Sequence, residues 1–361
     1  MIFIHDTVID PISQRGVDRV FTNYLTALSN FFPDQVLLYS NKVRNTYHLR
    51  RVYPPSKYMG CFIPSRVNNV FDNTCAKLLV DYKPAVYFSP YFGTVRSTAP
   101  QVFSAYDMIY ERFPQYFTGE SEKRFIREKK ACFERSSLII CISHSTANDL
   151  MEIYPNLSAD KIRVVHLGID EEFLTKFPVQ NTDKPYLLYV GSRHHYKNFL
   201  RLLEAIGKMQ LPRDLYLRVI SPVNNFPTNQ ESEIINRYHL AEKIVFESDI
   251  PDSLLQTRYQ NAFAYIFPSE YEGFGLPLIE AMASNTLVIS SNSSSLPEIG
   301  ADVPIYFDPH SIESMMGAIE NAIKLDSAER NARIRKGKKR VSEFTWKRSQ
   351  ERFIKEFRTI L

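Results

Sequence analysis

Short apolar runs alternate with amphipathic stretches along the second half of the chain. From Pro185 onward, runs rich in β-branched and aromatic residues are each followed by a stretch with apolar positions at helical spacing. The pairs are PYLLYVG with NFLRLLEAIGKM, LYLRVIS with ESEIINRYHL, KIVFES with SLLQTRYQNA, AYIFPS with LPLIEAMAS, and TLVISS with SIESMMGAIENAIK. Strands that alternate with helices favour a parallel sheet wrapped by helices. The pattern predicts a doubly wound α/β domain.

The first half of the chain repeats this plan less regularly. MIFIHD predicts a first buried strand, and the helix after it carries an apolar stripe formed by Val17, Val20, Phe21, Tyr24, Leu25 and Leu28. Later strands are predicted at QVLLYS, AVYFSP, QVFSAYD, SLIICIS and RVVHLGID. Between Gly168 and Pro185 the sequence turns polar and proline-bearing, which is typical of a linker. We therefore predict two Rossmann-like, doubly wound α/β domains that face each other across a cleft.

These patterns also predict the domain boundaries. A first domain takes residues 1–172, a linker residues 173–184, a second domain residues 185–343, and a final helix residues 344–361. One side of the final helix carries Trp346, Phe353, Ile354, Phe357 and Leu361. The basic run Arg330–Arg340 precedes it, and we interpret this run as a solvated helix face, with contact to an anionic membrane surface as the alternative.

Charge and composition exclude several classes of function. Lys and Arg total 44 against 40 Asp and Glu, and a net charge of +4 argues against a nucleic-acid-binding protein that relies on a dominant positive field. No run approaches the ~18 apolar residues that span a bilayer, and the polar His5 and Asp6 come too early for a signal peptide. Four cysteines without CxxC or finger-like spacing are expected to be reduced thiols of a cytoplasmic protein.

The segment SEYEGFGLPLIEAMAS, residues 269–284, places a glycine loop between a predicted strand and a predicted helix. Gly273 and Gly275 can adopt positive φ and let backbone N–H groups come close to a ligand. The N-terminus of the next helix favours an anion, and Pro277 suits its first turn. The segment therefore predicts a site for a diphosphate.

Two acidic residues, Glu272 and Glu280, flank this glycine loop with seven residues between them. Carboxylates beside a phosphate would repel it, so we expect them to accept hydrogen bonds from the hydroxyls of a sugar and a ribose. The alternative is a tight turn before an ordinary helix, with Glu280 exposed. A dinucleotide site is disfavoured because Leu278 stands where the third glycine of GxGxxG belongs.

This loop resembles the acidic motif of the retaining glycosyltransferases of family 4, also called group 1. SNSSSLPEIG and YFDP, residues 291–300 and 306–309, are similar to the strand and loop that follow in the family. The resemblance implies the GT-B fold, with the C-terminal helix packing back on the first domain. It also implies that Glu272 contacts the donor sugar, that Glu280 holds the ribose, and that Glu298 is a lesser contact.

A second motif, YVGSRHHYKNF at residues 189–199, resembles the first loop of the family's second domain. By this resemblance Lys197 stabilises the leaving group, and Arg193 is a secondary candidate because Tyr196 stands where many members have arginine. His194 and His195 are interpreted as loop residues, so we expect neither a metal nor another cofactor. The donor-binding residues implied by the two motifs are Gly191, Ser192, Gly273, Phe274, Gly275, Leu276, Glu280 and Glu298.

The first half carries weaker signals for an acceptor. FSAYDMIYERFP, residues 103–114, resembles a family segment that commonly reads His-Asp; here Tyr106 replaces the histidine and Asp107 remains. Asp107 is a catalytic candidate, with a capping role at the strand end as the alternative. Gly16, which ends the loop DPISQRG, and His144 are the other acceptor-side candidates.

The resemblance implies a retaining hexosyltransferase that moves a sugar from a nucleotide-diphosphate sugar to a glycan or lipid-linked acceptor. Cell-surface polysaccharide biosynthesis is the expected context, at the cytoplasmic side and with peripheral membrane contact left open. GDP-mannose, UDP-sugars and dTDP-sugars all remain candidate donors. The alternatives are a non-catalytic GT-B scaffold that binds nucleotide or glycan, and a nucleotide-sugar epimerase.

Overall fold

The computed structural model of this protein describes residues 1–6, 15–40, 58–60, 68–93, 95–174, 184–222 and 225–361. The chain divides into two compact units: residues 1–167 with 346–361, and residues 168–345. Residues 171–174 form a short 3-10 helix, and the rest of the predicted linker up to residue 183 lies outside the described ranges.

The first unit is built on a parallel sheet with the strand order β3-β2-β1-β4-β5-β6-β7. Its strands are β1 Ile2–Asp6, β2 Val36–Ser40, β3 Tyr58–Gly60, β4 Val86–Ser89, β5 Gln101–Ala105, β6 Leu138–Cys141 and β7 Ile162–Val164. Its helices up to β7 are α1 Arg15–Phe31, α2 Asn68–Tyr82, α3 Ile109–Arg112, α4 Glu120–Arg135 and α5 His144–Ile153. The order reverses between β1 and β4, which is the switch point of a doubly wound sheet.

The second unit has a parallel sheet in the order β10-β9-β8-β11-β12-β13. Its strands are β8 Tyr186–Val190, β9 Tyr216–Ser221, β10 Ile244–Ser248, β11 Ala264–Phe267, β12 Val288–Ser291 and β13 Ile305–Phe307. Its helices are α6 Phe199–Met209, α7 Asn229–Arg237, α8 Asp252–Asn261, α9 Leu276–Ala283, α10 Leu296–Gly300, α11 Ile312–Lys324 and α12 Ser327–Val341. Four of the five predicted strand-helix pairs are present, and the α/β prediction is confirmed. The fifth pairing is wrong, because α10 and β13 lie between β12 and α11.

The predicted apolar faces are buried. Val20, Tyr24, Leu25 and Leu28 of α1 are fully enclosed in the first unit. The stretch SIESMMGAIENAIK, predicted to carry apolar residues at helical spacing, forms α11. Its Met315 and Ile319 belong to the core of the second unit, and Ile312, Met316 and Ile323 pack against that core. Helical spacing of apolar residues therefore identified these faces correctly.

The last helix, α13 Trp346–Phe357, returns to the first unit and packs on α1. The rings of Tyr24 and Phe353 stack with centroids 4.1 Å apart, and Phe88 of β4 contacts Phe353 as well. The predicted return of the C-terminal helix is therefore confirmed. Leu361, predicted on the packed side, is instead 52% exposed.

The basic run Arg330–Arg340 lies in α12 and is only partly a solvated face. Arg335, Lys336, Lys338 and Lys339 are exposed. Arg333 and Arg340, however, donate hydrogen bonds to the carbonyls of Val303 and Ile299, 3.1 and 3.0 Å away. These arginines therefore attach α12 to the chain around α10.

Cys75, Cys132 and Cys141 are buried free thiols, and Cys61 lies outside the described residues. Burial raises the pKa of the Cys132 and Cys141 thiols.

Among the described helices, none is both long and apolar enough to cross a bilayer.

Candidate active site

The acidic loop runs from the end of β11 to the start of α9. Among the described glycines, Gly191 and Gly275 have positive φ, at 143° and 102°. Either glycine of the acidic loop, Gly273 or Gly275, can adopt positive φ, and of these two the structure has it at Gly275. A Cβ added at Gly275 would lie 2.8 Å from a methyl carbon of Leu296, so this position requires glycine for both its backbone and its space. Pro277 occupies the first turn of α9, as predicted.

The structure brings Lys197 and Glu272 together. Lys197 ends a short 3-10 turn, His195–Lys197, after β8, and its Nζ lies 2.7 Å from Oε1 of Glu272. The two side chains are 18% and 13% exposed, so the ion pair is open to a ligand but largely shielded from water. Burial raises the pKa values of Tyr189 and Tyr265 well above the usual range of tyrosine, and the negative charge of Glu272 raises them further. Both tyrosines therefore remain neutral beside this carboxylate.

Two serines of the SNSSS segment hold the backbone around Glu272. The Glu272 N–H donates to Ser294 Oγ at 2.7 Å. Ser295 Oγ donates toward the carbonyls of Glu272 and Phe274, at 2.8 and 2.9 Å. Sequence reasoning quoted this segment without assigning these serines a role. They fix the loop from which the Glu272 side chain projects.

Asn198 ties the lysine loop to two other loops. It is buried, its backbone is left-handed with φ of 61°, and its Nδ2 donates to the carbonyls of Pro268 and Pro309 at 3.0 and 2.7 Å. Pro268 begins the acidic loop and Pro309 follows β13. The residue directly after Lys197 is therefore anchored to the segments that follow β11 and β13.

Glu270 and Arg201 complete this connection. Arg201 Nη1 donates to Oε1 of Glu270 at 2.7 Å and to Oδ1 of Asn198 at 2.5 Å. The Glu270 N–H donates to the carbonyl of Tyr196 at 2.8 Å. Sequence reasoning did not include Glu270 among the donor-site residues. The structure shows that it joins the acidic loop to the lysine loop.

Glu280 is 6% exposed on α9, and its Oε2 accepts a hydrogen bond from the hydroxyl of Tyr259 at 3.2 Å. The alternative of an exposed surface glutamate is therefore wrong. Tyr259, on α8, was not predicted from the sequence. A buried carboxylate oriented by a hydroxyl is suited to accept hydrogen bonds from a neutral ligand.

Arg193 pairs with a different carboxylate from the one that Lys197 contacts. Its Nε donates to Glu231 Oε1 at 2.9 Å, with side chains 5% and 2% exposed, and its guanidinium lies over the rings of Phe199 and Phe246. Glu231 also completes the capping box of α7 with Thr228. We interpret Arg193 as an anchor of the loop.

Most of the remaining donor-side candidates lie on the lysine loop itself, and Glu298 lies in α10. Gly191 has open space where a Cβ would lie, and the Ser192 carbonyl accepts a hydrogen bond from the Tyr189 hydroxyl at 2.5 Å. His194 and His195 are exposed. Glu298 lies half-buried in α10, and its carbonyl accepts from Arg340 at 2.6 Å.

The acceptor-side candidates lie in the first unit. The Tyr106 hydroxyl donates to the carbonyl of Pro90 at 2.7 Å, and burial raises its pKa well above its usual range. Asp107 Oδ1 accepts from the N–H of Ile109 at 3.1 Å, which is the capping role given above as the alternative. His144 is exposed at the start of α5.

Gly16 is the second residue of α1, and residues 10–14 of its predicted loop lie outside the described ranges.

The segment after Asp107 is held in place by a buried lysine. Lys129 is buried, and its Nζ donates to the Asp107 carbonyl at 2.8 Å and to Glu111 at 2.9 Å. This ion pair holds the strand-end segment in place.

Comparison with known families matches both halves of the chain. A family model described as "Glycosyl transferases group 1" matches residues 170–340, and one described as "Glycosyltransferase Family 4" matches residues 15–173. The O-antigen chain mannosyltransferase B of Escherichia coli is 24% identical over 292 residues, which cover 78% of this chain and 76% of the relative.

Solved structures share the fold. A glycosyltransferase from Rickettsia africae ESF-5 is similar with a TM-score of 0.73 and 16% identity, covering 99% of this chain and 98% of that chain. The Anabaena protein HepE, solved in complex with UDP and glucose, has a TM-score of 0.73 and 14% identity, covering 99% of both chains. These likenesses confirm the GT-B prediction.

Proposed function

The chain belongs to the family 4 glycosyltransferases of group 1, and from this premise we propose that it transfers a hexosyl group from a nucleotide-diphosphate sugar to a glycan or lipid-linked saccharide, with retention of configuration. The observation that carries the proposal is the 2.7 Å contact between Lys197 and Glu272 on the loop that leads to the buried Glu280. Together these three residues supply one cation for a diphosphate and two carboxylates for hydroxyls.

The proposed chemistry rests on charge stabilisation. The bond from the sugar C1 to the phosphate oxygen breaks with its electron pair passing to the phosphate, and the acceptor oxygen bonds C1 on the same face. The proton of the acceptor hydroxyl passes to the departing phosphate. Lys197 and the N–H groups at the start of α9 stabilise the developing charge, and preorganised donors of this kind typically lower the barrier by several kcal/mol. No step requires a metal.

The donor sugar is proposed from the named relative. Because the relative is an O-antigen chain mannosyltransferase, GDP-mannose is the first donor to test, ahead of UDP-sugars and dTDP-sugars. The same name supports a role in the synthesis of a cell-surface polysaccharide.

The test is to titrate the purified chain with GDP, UDP, ADP and dTDP by calorimetry and then to assay transfer from the matching nucleotide sugars. Lys197→Ala is expected to lower kcat by roughly 100- to 1000-fold, as loss of one transition-state donor does. Lys208→Ala, an exposed lysine on α6, is the control and should retain full activity. NMR of the product's anomeric proton tests retention.

Two outcomes would contradict this function. Protein that binds none of the nucleotides and transfers no sugar refutes it. Protein that binds a nucleotide but neither transfers nor hydrolyses the sugar would instead favour the non-catalytic scaffold.

A further inference from the structure

The Lys197–Glu272 contact joins two side chains whose backbones are fixed by other hydrogen bonds. The backbone of Glu272 is bound by Ser294 and Ser295. The backbone beside Lys197 is bound through Asn198 and through the Tyr196 carbonyl, which accepts from Glu270. A ligand can therefore separate the ammonium from the carboxylate by turning side chains, without moving either loop.

The Glu272 carboxylate and a bound diphosphate are both anions, and they compete for the same ammonium. A diphosphate that binds the Lys197 ammonium competes with Glu272 for its three N–H donors and draws it away from the carboxylate. The diphosphate also brings further negative charge close to a carboxylate that is only 13% exposed. Like charges a few Å apart in a partly buried site repel strongly. A terminal phosphate freed by transfer carries more negative charge near neutral pH than one esterified to a sugar.

A nucleotide sugar compensates the displaced carboxylate, whereas a nucleoside diphosphate does not. The sugar presents hydroxyl groups that donate hydrogen bonds to a carboxylate. Without the sugar, Glu272 loses its ammonium partner and gains only repulsion. The nucleotide sugar and the nucleoside diphosphate therefore differ in their effect on Glu272, as well as in the contacts that the sugar itself makes.

We propose that Glu272 makes the site discriminate between the intact nucleotide sugar and the nucleoside diphosphate left after transfer, by competing with the diphosphate for Lys197. This inference rests on the proposed function and adds a role in product release to it. Glu272 weakens the binding of the spent nucleotide and strengthens the binding of the donor.

The test compares Glu272→Gln with Glu270→Gln by calorimetry, using the nucleoside diphosphate that the wild-type chain binds best among GDP, UDP, ADP and dTDP. The two carboxylates are equally exposed at 13% and lie in one loop, but Glu270 pairs with Arg201. Both variants change the net charge equally. E272Q is expected to bind the nucleoside diphosphate about 10-fold more tightly than wild type, while E270Q is not.

The same variants are titrated with the matching nucleotide sugar in the absence of acceptor. E272Q should lose most of the wild-type preference for nucleotide sugar over nucleoside diphosphate. In a Lys197→Ala background the gain from E272Q should shrink, because the competition for the ammonium no longer exists and only the direct repulsion remains to be relieved.

The outcomes separate this inference from the function on which it rests. Wild-type protein that binds no nucleotide overturns both. Wild-type protein that transfers sugar, together with E272Q that binds the nucleoside diphosphate no more tightly than wild type, overturns the inference alone. An equal gain in E270Q, or a gain that persists fully without Lys197, also overturns it, since net charge would then explain the effect.

Discussion

Replacing Asn198 tests whether the lysine loop is held in place by long-range hydrogen bonds. Asn198→Ala removes the Nδ2 donor from the carbonyls of Pro268 and Pro309, both of which it contacts within 3.0 Å. It also places an alanine at a φ of 61°, where a Cβ is disfavoured. Asn198→Gly removes the same donor but tolerates this φ, so the pair of variants separates the two effects.

The magnitude follows from these contacts. The two hydrogen bonds from Nδ2 and the one that Oδ1 accepts from Arg201 contribute about 1 kcal/mol each, and a left-handed alanine costs about 1–2 kcal/mol. Asn198→Ala should therefore lose about 4–5 kcal/mol of unfolding free energy. Asn198→Gly should lose about 3–4 kcal/mol, which includes its greater freedom in the unfolded chain. The gap of about 1 kcal/mol between the variants measures the strain at this φ.

Urea unfolding followed by far-UV circular dichroism measures these differences. Fluorescence is unsuitable because the one tryptophan, Trp346, belongs to the first unit, whereas Asn198 belongs to the second. Arg237→Ala is the control, since its contact with Glu204 is 4.0 Å long and its side chain is 59% exposed. We expect that variant to stay within about 0.5 kcal/mol of wild type.

Kinetics decide whether Asn198 positions Lys197 or only stabilises the unit. A displacement of ~1 Å at a reacting group can cost about 100-fold in rate, so we expect kcat of Asn198→Gly to fall by 10- to 100-fold under conditions where the protein is folded, with little change in donor KM. The reasoning is refuted if the variant is as stable as Arg237→Ala. It is also refuted if the variant is destabilised while kcat is unchanged.

Three further predictions concern single positions. Gly275→Ala should lower the unfolding free energy by about 2–3 kcal/mol in urea titrations and abolish nucleotide binding, because positive φ and a close methyl group both oppose a Cβ. Tyr259→Phe should weaken nucleoside diphosphate binding several-fold in calorimetry, because Glu280 loses the hydroxyl that orients it; unchanged affinity would remove the ribose role of Glu280. Cys132 and Cys141 should resist iodoacetamide in the folded protein and react after denaturation, as peptide mass spectrometry can show, because burial raises the pKa of both thiols.

Local sequence patterns were sufficient to predict most helices and strands of the second unit and the two loops of the candidate site. Apolar periodicity identified most strands and helices of the second unit, because each element must bury one face and burial leaves a period in the sequence. It did not predict the short elements α10 and β13. Gly275 and Pro277 marked the turn into α9 because few residues fit positive φ or a first helical turn. Lys197, Glu272 and Glu280 were selected by family resemblance and by the chemistry that their side chains allow.

Long-range pairing separated residues that looked equivalent in the sequence. Arg193 and Lys197 are both basic residues of one loop, yet Arg193 is buried against Glu231 while Lys197 meets Glu272. The neighbouring sequence does not distinguish their pairing, because Glu231 lies on α7 and Glu272 lies on the loop after β11, both distant along the chain. Tyr106 likewise shows no local sign that its hydroxyl is bound to the Pro90 carbonyl.

The sequence by itself determined which residues could hold a diphosphate and a sugar, since that depends on side-chain chemistry and local backbone preference. Only the tertiary structure decided how they are held. Lys197 and Glu272 are 75 residues apart and Asn198 and Pro309 are 111 apart, yet each pair is in contact. The physical reason is the parallel sheet, which brings the carboxyl ends of strands distant in sequence to one edge.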